Sequence, residues 1–177
     1  MANRGLTGVL LVGGASRRFG SPKPLARYGG TTLAEHAWGV LGEACDERLA
    51  LGKLSDELPL PFPLRDDGID VRAPIAGVVA GLRAAKNEVC VFLPVDAPLA
   101  GPDVLRLLGE ACREAAVPET GPLPGAYARS ALPALERRLA VGQLALRDAL
   151  SELDVAVVEI DPAVLVNVNQ PEELAAL

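Results

Sequence analysis

Histidine, cysteine and lysine are all scarce in this 177-residue chain, and the first two scarcities close off classes of chemistry. A single histidine, His36, and three widely spaced cysteines, Cys45, Cys90 and Cys112, cannot supply the three or four soft ligands of a zinc site at ordinary spacing. The odd cysteine count and the apolar surroundings of each thiol do not suit a disulfide framework, so reduced core thiols are expected, Cys90 above all. A metal, where the chemistry uses one, is then a hard cation held by carboxylates. The longest apolar runs, Val9 to Val12 and Val89 to Val95, stay far short of the roughly 18 residues of a membrane helix. Residues Met1 to Gly5 lack the apolar core of a secretory signal, so a cytoplasmic location is expected. With a net charge of −6 and a pI near 4.9, the chain lacks the basic footprint of a nucleic-acid binder. Neither a nucleic acid nor a membrane is expected as a partner, and a phosphate site must be concentrated in one place. Only three of the 17 basic residues are lysines, Lys23, Lys53 and Lys86, so the candidates are few.

What is present is half apolar, with a mean hydropathy of +0.26. At 177 residues it is sized for one domain, residues 1–177, with a full core. Thr7 to Val12 reads as a buried strand entering a glycine loop at Gly13-Gly14. Thr31 or Thr32 then caps a helix running to about Ala44, with Glu35 in capping-box position. Further strands are expected at Glu47 to Leu51, at an edge around Phe62 to Leu64, at Glu88 to Val95, near Ala115 to Pro118 and at Val155 to Ile160. Helices are expected at Ile75 to Lys86, Pro102 to Cys112, Ser130 to Leu139, Gln143 to Leu150 and after Pro171. Glu119 to Gly125 reads as turn, and Val164 to Val168 as extended chain. The alternation of strand and helix predicts an α/β fold, a three-layer sandwich with a mostly parallel, mixed sheet. Ligands in such folds bind beyond the carboxyl ends of the strands, where Gly13, Asp66, Asp96 and Asn167 would lie.

The segment Leu11-Val12-Gly13-Gly14-Ala15-Ser16-Arg17-Arg18-Phe19-Gly20-Ser21-Pro22-Lys23-Pro24-Leu25 is the most informative in the chain. Three glycines let the backbone approach phosphate oxygens and offer N–H groups, while Arg17, Arg18 and Lys23 bring positive charge to the same loop. Neither the P-loop spacing nor the GxGxxG dinucleotide fingerprint is present. The segment resembles the signature of nucleotidyltransferases of the molybdenum-cofactor guanylyltransferase (MobA-like) type, approximately LAGGxSxRxGxxKxL, with Val12 replacing its alanine.

Further stretches extend the resemblance along nearly the whole chain and imply a Rossmann-like nucleotidyltransferase fold. Ala73-Pro74-Ile75-Ala76-Gly77 through Leu82 is similar to GPLAGIxxGL, Pro94-Val95-Asp96-Ala97-Pro98-Leu99 to PCDxPxL, and Asn167-Val168-Asn169-Gln170-Pro171-Glu172-Glu173-Leu174 to NxNTPEDL. The resemblance implies that Leu11, Val12, Gly13 and Gly14 wrap the purine and ribose, with Ser16 and Gly77 in the same nucleotide site. It implies that Arg18 and Lys23 contact the triphosphate, and that Asp96 holds a magnesium ion. Asp66 matches the family's nucleotide-contacting aspartate, with Asp67 one position behind. Asn167 and Asn169 become candidate contacts to the acceptor.

The implied reaction is transfer of GMP from GTP to the phosphate of molybdopterin, with release of pyrophosphate, and Arg18, Lys23 and Asp96 as the catalytic set. Other cofactor-synthesis proteins and recipient molybdoenzymes are the implied partners. The alternatives left open are a cytidylyltransferase acting on the same cofactor, a sugar-1-phosphate nucleotidyltransferase, and a catalytically silent nucleotide-binding or carrier protein. Other departures from the pattern stand beside Val12 and the Ala73 that replaces a glycine. Gly121 stands where the family often has histidine, Gln170 replaces a capping threonine, and Gly52-Lys53 stands where an asparagine is common. Lys53 is expected to be solvated, and His36 to be a surface or packing residue.

Overall fold

The computed structural model describes residues 5–13 and 19–177. Among the described residues, nine strands run in chain order: β1 (Leu6–Leu11), β2 (Arg27–Tyr28), β3 (Thr31–Thr32), β4 (Glu47–Gly52), β5 (Arg65–Asp66), β6 (Val89–Pro94), β7 (Ala115–Pro118), β8 (Gly125–Ala128) and β9 (Val155–Val158). Interleaved with them are α1 (Leu33–Ala44), α2 (Pro74–Ala84), α3 (Pro102–Ala111), α4 (Leu132–Ala140), α5 (Leu146–Ala149) and α6 (Pro171–Ala175). None is long and apolar enough to cross a membrane. Strands β2 and β3 form a small ribbon, and the other seven make one sheet in the order β5-β4-β1-β6-β8-β7-β9. β5, β4, β1 and β6 are mutually parallel, β8 runs antiparallel to both β6 and β7, and β9 is parallel to β7. The mostly parallel, mixed sheet is the one expected from the sequence.

Period-2 alternation divides the core in two. On one face, Leu10 of β1 and Val91 and Leu93 of β6 pack with Leu33 and Leu41 of α1 and Leu105 and Leu108 of α3. On the other, Val9, Cys90 and Phe92 pack with Ile75 and Val79 of α2, Leu135 of α4 and Leu146 of α5. Helices therefore cover both faces, and the central strands read as continuous apolar runs because neither side meets water. Burial pushes the Cys90 thiol up to about 12, as befits an inert core cysteine; Cys112 is buried as well, Cys45 is half-buried, and none is in a disulfide. The capping box also forms. Thr32 Oγ1 accepts from the Glu35 amide at 3.2 Å, and the Glu35 carboxylate accepts from the Thr32 amide at 3.1 Å.

Three sequence expectations need correction. The edge strand expected at Phe62 to Leu64 does not form: Pro61 and Pro63 withhold ladder donors, and Phe62 stacks on Trp38 of α1 at 4.4 Å. Pairing with β4 begins only at Arg65 and lasts two residues. β8 lies within a stretch whose small residues gave no strand signal. It forms because Ala126 and Tyr127 pair with β6 on one side and β7 on the other, and the buried Tyr127 hydroxyl donates to the Pro122 carbonyl at 2.9 Å. The stretch Val164 to Val168 begins instead inside a 3-10 turn, Pro162–Leu165, whose start is held by the Asp161 carboxylate accepting from the Ala163 amide at 2.9 Å.

The small-residue face of α2 lets it sit close on the sheet. A Cβ built on Gly81 would lie 2.6 Å from Phe92 Cε1 and 3.2 Å from Val9 Cγ2. Gly81→Ala is expected to destabilise the protein by up to about 2 kcal/mol, because overpacking costs about 1–3 kcal/mol and the helix-propensity gain near 1 kcal/mol offsets only part of it. At Gly39, exposed in α1 with open space around it, the same change is expected to stabilise by up to about 1 kcal/mol. Urea unfolding of both variants checks the pair of signs.

Candidate functional site

The chain leaves β1 to form β4 and β5 on one side of it, then returns through α2 to place β6 on the other side. Two neighbouring strands whose connections run in opposite directions open a crevice at their carboxyl ends, where α/β sheets bind ligands. A cavity of about 500 Å³ lies there. Its walls come from the end of β1 (Leu11, Val12, Gly13), the end of β4 (Leu51, Gly52, Lys53), the end of β6 (Pro94, Val95, Asp96) and the start of α2 (Ala73, Pro74, Gly77). Backbone bonds carry the ladder past the strands into these loops: the Val12 amide donates to Leu51 O at 2.9 Å, and the Val95 amide to Leu11 O at 3.2 Å.

Two opposite charges meet on the β6 side. Lys23 begins a 3-10 turn, Lys23–Leu25, and its ammonium lies 3.5 Å from Asp96 Oδ2 and 5.9 Å from the Phe19 ring centroid. The side chains remain 15% and 27% exposed, so both are part-buried yet reach the cavity. The loop carrying Asp96 is pinned at both ends. Asp96 O accepts the Val168 amide at 2.8 Å, and Pro98 O lies 2.8 Å from His36 Nε2, whose ring packs edge-on against Tyr28. The first of these bonds draws the carboxy-terminal segment over the site, so that Asn167 and Asn169 line it. That segment is in turn fixed by Glu173, whose carboxylate accepts from the amides of Asn169 at 2.6 Å and Gln170 at 3.2 Å. The helix cap weakened by Gln170 is thus retained from the glutamate side.

On the β4 side lies a second pair. Lys53 is only 12% exposed and donates to Asp67 Oδ1 at 2.5 Å and to the Ile69 carbonyl; Asp67 is 10% exposed. The expectation that Lys53 is solvated is therefore corrected: β4 delivers it into a part-buried position where carbonyl and carboxylate oxygens replace water. Asp66, the aspartate matched from sequence, does not line the cavity. Its carboxylate accepts from the Leu54 amide at 2.9 Å and the Gly68 amide at 2.8 Å, and these two backbone donors hold its carboxyl below the usual range. Asp67 takes its place at the cavity. Asp67 follows the last residue of β5, and its amide donates to Gly52 O at 3.1 Å, which sets it beside Lys53 at the end of β4. Arg72 lines the same end and grips Asp56 through two bonds, of 3.0 and 2.7 Å.

Of the residues expected from sequence, the fold brings together Leu11, Val12, Gly13, Lys23, Gly77, Asp96, Asn167 and Asn169 around one cavity. Gly77 also has a packing reason, since a Cβ there would meet Leu11 Cδ2 at 2.6 Å. Gly14, Ser16 and Arg18 lie outside the described residues. Sequence reasoning passed over Lys53, Arg72 and Leu123 as cavity residues; the departure at Lys53 from the family's asparagine was the one available signal. Among the described residues, no three His, Cys, Asp or Glu side chains cluster as a metal cage.

Residues 8–157 match the family described as the MobA-like NTP transferase domain. A relative from Deinococcus radiodurans, named as a probable molybdenum cofactor guanylyltransferase, is 34% identical over 181 residues, covering 97% of this chain and 93% of that protein. One from Burkholderia ambifaria, named molybdenum cofactor guanylyltransferase, is 32% identical, with 97% and 95% covered. Among solved structures, the fold is similar to that of molybdopterin-guanine dinucleotide biosynthesis protein A from Archaeoglobus fulgidus. The TM-score is 0.80 and the identity 26%, over 96% of this chain and 95% of that one.

The rim of the cavity responds to acid in a defined direction. Asp56, bonded by Arg72, and Asp66, bonded by two backbone amides, both have carboxyls held below their ordinary values in the folded state. Their contribution to stability is complete above the unfolded value near pH 4 and is lost as pH falls through the lower folded values. The urea midpoint is expected to be insensitive to these groups from pH 7 to 5 and to fall below about pH 4. In Asp56→Asn/Asp66→Asn that acid limb should be shallower than in the wild type; equal slopes would show that neither carboxylate contributes to it.

Proposed function

Because the chain belongs to the MobA-like NTP transferase family, we propose that it transfers GMP from GTP to the phosphate of molybdopterin, releasing pyrophosphate, in synthesis of the molybdenum cofactor. The observation that carries this reading is the approach of Lys23 to Asp96, 3.5 Å apart, at the crevice between β1 and β6 where the family's two charged motifs converge. Residues 1–177 act as one nucleotidyltransferase domain, working in the cytoplasm and passing product to other cofactor-synthesis proteins or recipient molybdoenzymes.

In this reaction an oxygen of the acceptor phosphate attacks the α-phosphorus, a P–O–P bond forms, and the bond to the β-phosphate oxygen breaks in line. A phosphate monoester is anionic near neutral pH, so no general base is required, consistent with His36 being bonded to Pro98 O outside the cavity lining. The protein's contribution is to orient two polyanions and stabilise charge on the transferring phosphate and the leaving pyrophosphate. Lys23 takes that role, and the family's motif assigns Arg18 the same one. The backbone of Leu11, Val12 and Gly13 receives the nucleoside, while Asn167 and Asn169 face the acceptor. The donor set suits a magnesium ion, which keeps several waters and takes one or two carboxylates plus substrate phosphates: Asp96 is a part-exposed carboxylate at the cavity wall, with Asn167 and Asn169 in the same lining. Held by Asp96, magnesium would supply Lewis-acid charge neutralisation to the phosphate oxygens.

Incubation with magnesium, molybdopterin and each of GTP, CTP, ATP and UTP, following pyrophosphate release, tests the reading. Guanine-selective turnover is expected, falling by about 100-fold or more in Asp96→Ala and in Lys23→Ala. Unchanged turnover in both variants would overturn the site, and tight GTP binding without pyrophosphate release would favour a carrier.

A further inference from the structure

His36 is the chain's one histidine and takes no part in the chemistry proposed above, yet it joins the two segments that carry Lys23 and Asp96. The connection runs through the first turn of α1. On one side, the Lys23 turn is bonded to that helix by its backbone: the Ala26 amide donates to Lys23 O at 3.0 Å, and Ala26 O accepts from the Leu33 amide at 2.9 Å. On the other, His36 Nε2 lies 2.8 Å from Pro98 O, two residues after Asp96. Pro98 is buried, and among the described residues no backbone amide donates to its carbonyl. The imidazole therefore supplies the donor that a buried carbonyl requires.

The partner dictates the state of the ring. A carbonyl oxygen only accepts, so Nε2 carries a proton. The ring plane is held from the ribbon that follows Lys23, by edge contact with Tyr28 at a centroid separation of 4.9 Å and an angle of 80°. Where His36 stands along α1 is fixed in turn by the capping box of Thr32 and Glu35, which sets the start of the helix just before it. One rigid turn thus references both charged segments, through backbone bonds to the Lys23 turn and through a ring of fixed reach to the Asp96 loop. We infer that His36 is a positioning residue for the transfer reaction: its Nε2–H, donated to Pro98 O, holds the Asp96 carboxylate in the place from which it binds metal beside Lys23. The inference rests on the transfer reading above, in which Asp96 holds the metal, and adds a residue outside the cavity lining to the machinery that keeps it there.

Because histidine occurs once, the imidazole signals in a proton–nitrogen correlation spectrum of the wild type belong to His36 without further assignment. A ring proton on Nε2, slow to exchange with solvent, is expected; a neutral ring protonated on Nδ1 alone overturns the inference, and does so even if a variant fails to fold. The affinity for manganese alone is then followed by electron paramagnetic resonance in two variants whose thermal unfolding shows them folded. His36→Phe keeps a ring against Tyr28 but has no donor, and His36→Gln keeps an N–H donor. Affinity is expected to fall about tenfold in His36→Phe and to return to within about threefold of the wild type in His36→Gln, as for other residues that orient a metal ligand from behind. Equal affinity in all three proteins overturns the inference, and so does an equal loss in both variants, which would mark a role in packing only. Asp96→Asn separates this result from the reading beneath it. Weakened binding in Asp96→Asn beside unchanged binding in His36→Phe overturns the role of His36 alone. Wild-type affinity in Asp96→Asn, or no manganese binding by the wild type, overturns the assignment of the metal to Asp96 as well.

Discussion

Pairing of β1 with β4 on one side and β6 on the other is the constraint from which the rest of the site follows. All three strands run parallel and are buried on both faces, so their side chains serve the core and only their carboxyl ends are free for chemistry. The register aligns those ends: Leu11 stands opposite both Leu51 and Pro94, and so Gly13, Lys53 and Asp96 emerge at one level. Slipping any strand by one residue would exchange the faces of its side chains and break two layers of packing at once.

Electrostatics then distributes charge within an acidic molecule. A net charge of −6 would repel a triphosphate, and the cavity meets this by keeping its carboxylates matched to cations: Asp96 with Lys23, Asp67 with Lys53. Arg72, fixed by Asp56, adds a third cation at the wall. Part-burial matters here, since pairs shielded from water interact more strongly than the exposed ion pairs elsewhere on the surface, such as Arg113 with Asp154.

Packing sets how close these groups can come. α2 rests on the sheet through Gly77 and Gly81, against Leu11 and Phe92, which brings the start of that helix to the cavity wall. At the other side, Val168 bonds to Asp96 across more than 70 residues of sequence, and Glu173 secures the asparagine segment. Among the described residues, small side chains and a few long-range backbone bonds define the shape of the site.

The sequence by itself determined the α/β class, the central apolar strands, the capped first helix and most of the cavity wall, because these depend on local periodicity, capping chemistry and motif spacing. Lys23 and Asp96, 73 positions apart, were legible for the same reason: each follows a strand or loop with its own local signature. Only the tertiary structure put Asp67 rather than Asp66 at the cavity wall, since that turns on where β5 ends against β4 and on the bond from the Asp67 amide to Gly52 O. It alone formed β8, whose small residues become a strand only between two others, and withdrew the strand around Phe62, whose ring packs on Trp38. It also moved Lys53 from solvent to the cavity wall, because whether a lysine is solvated or paired depends on what distant chain the fold sets beside it.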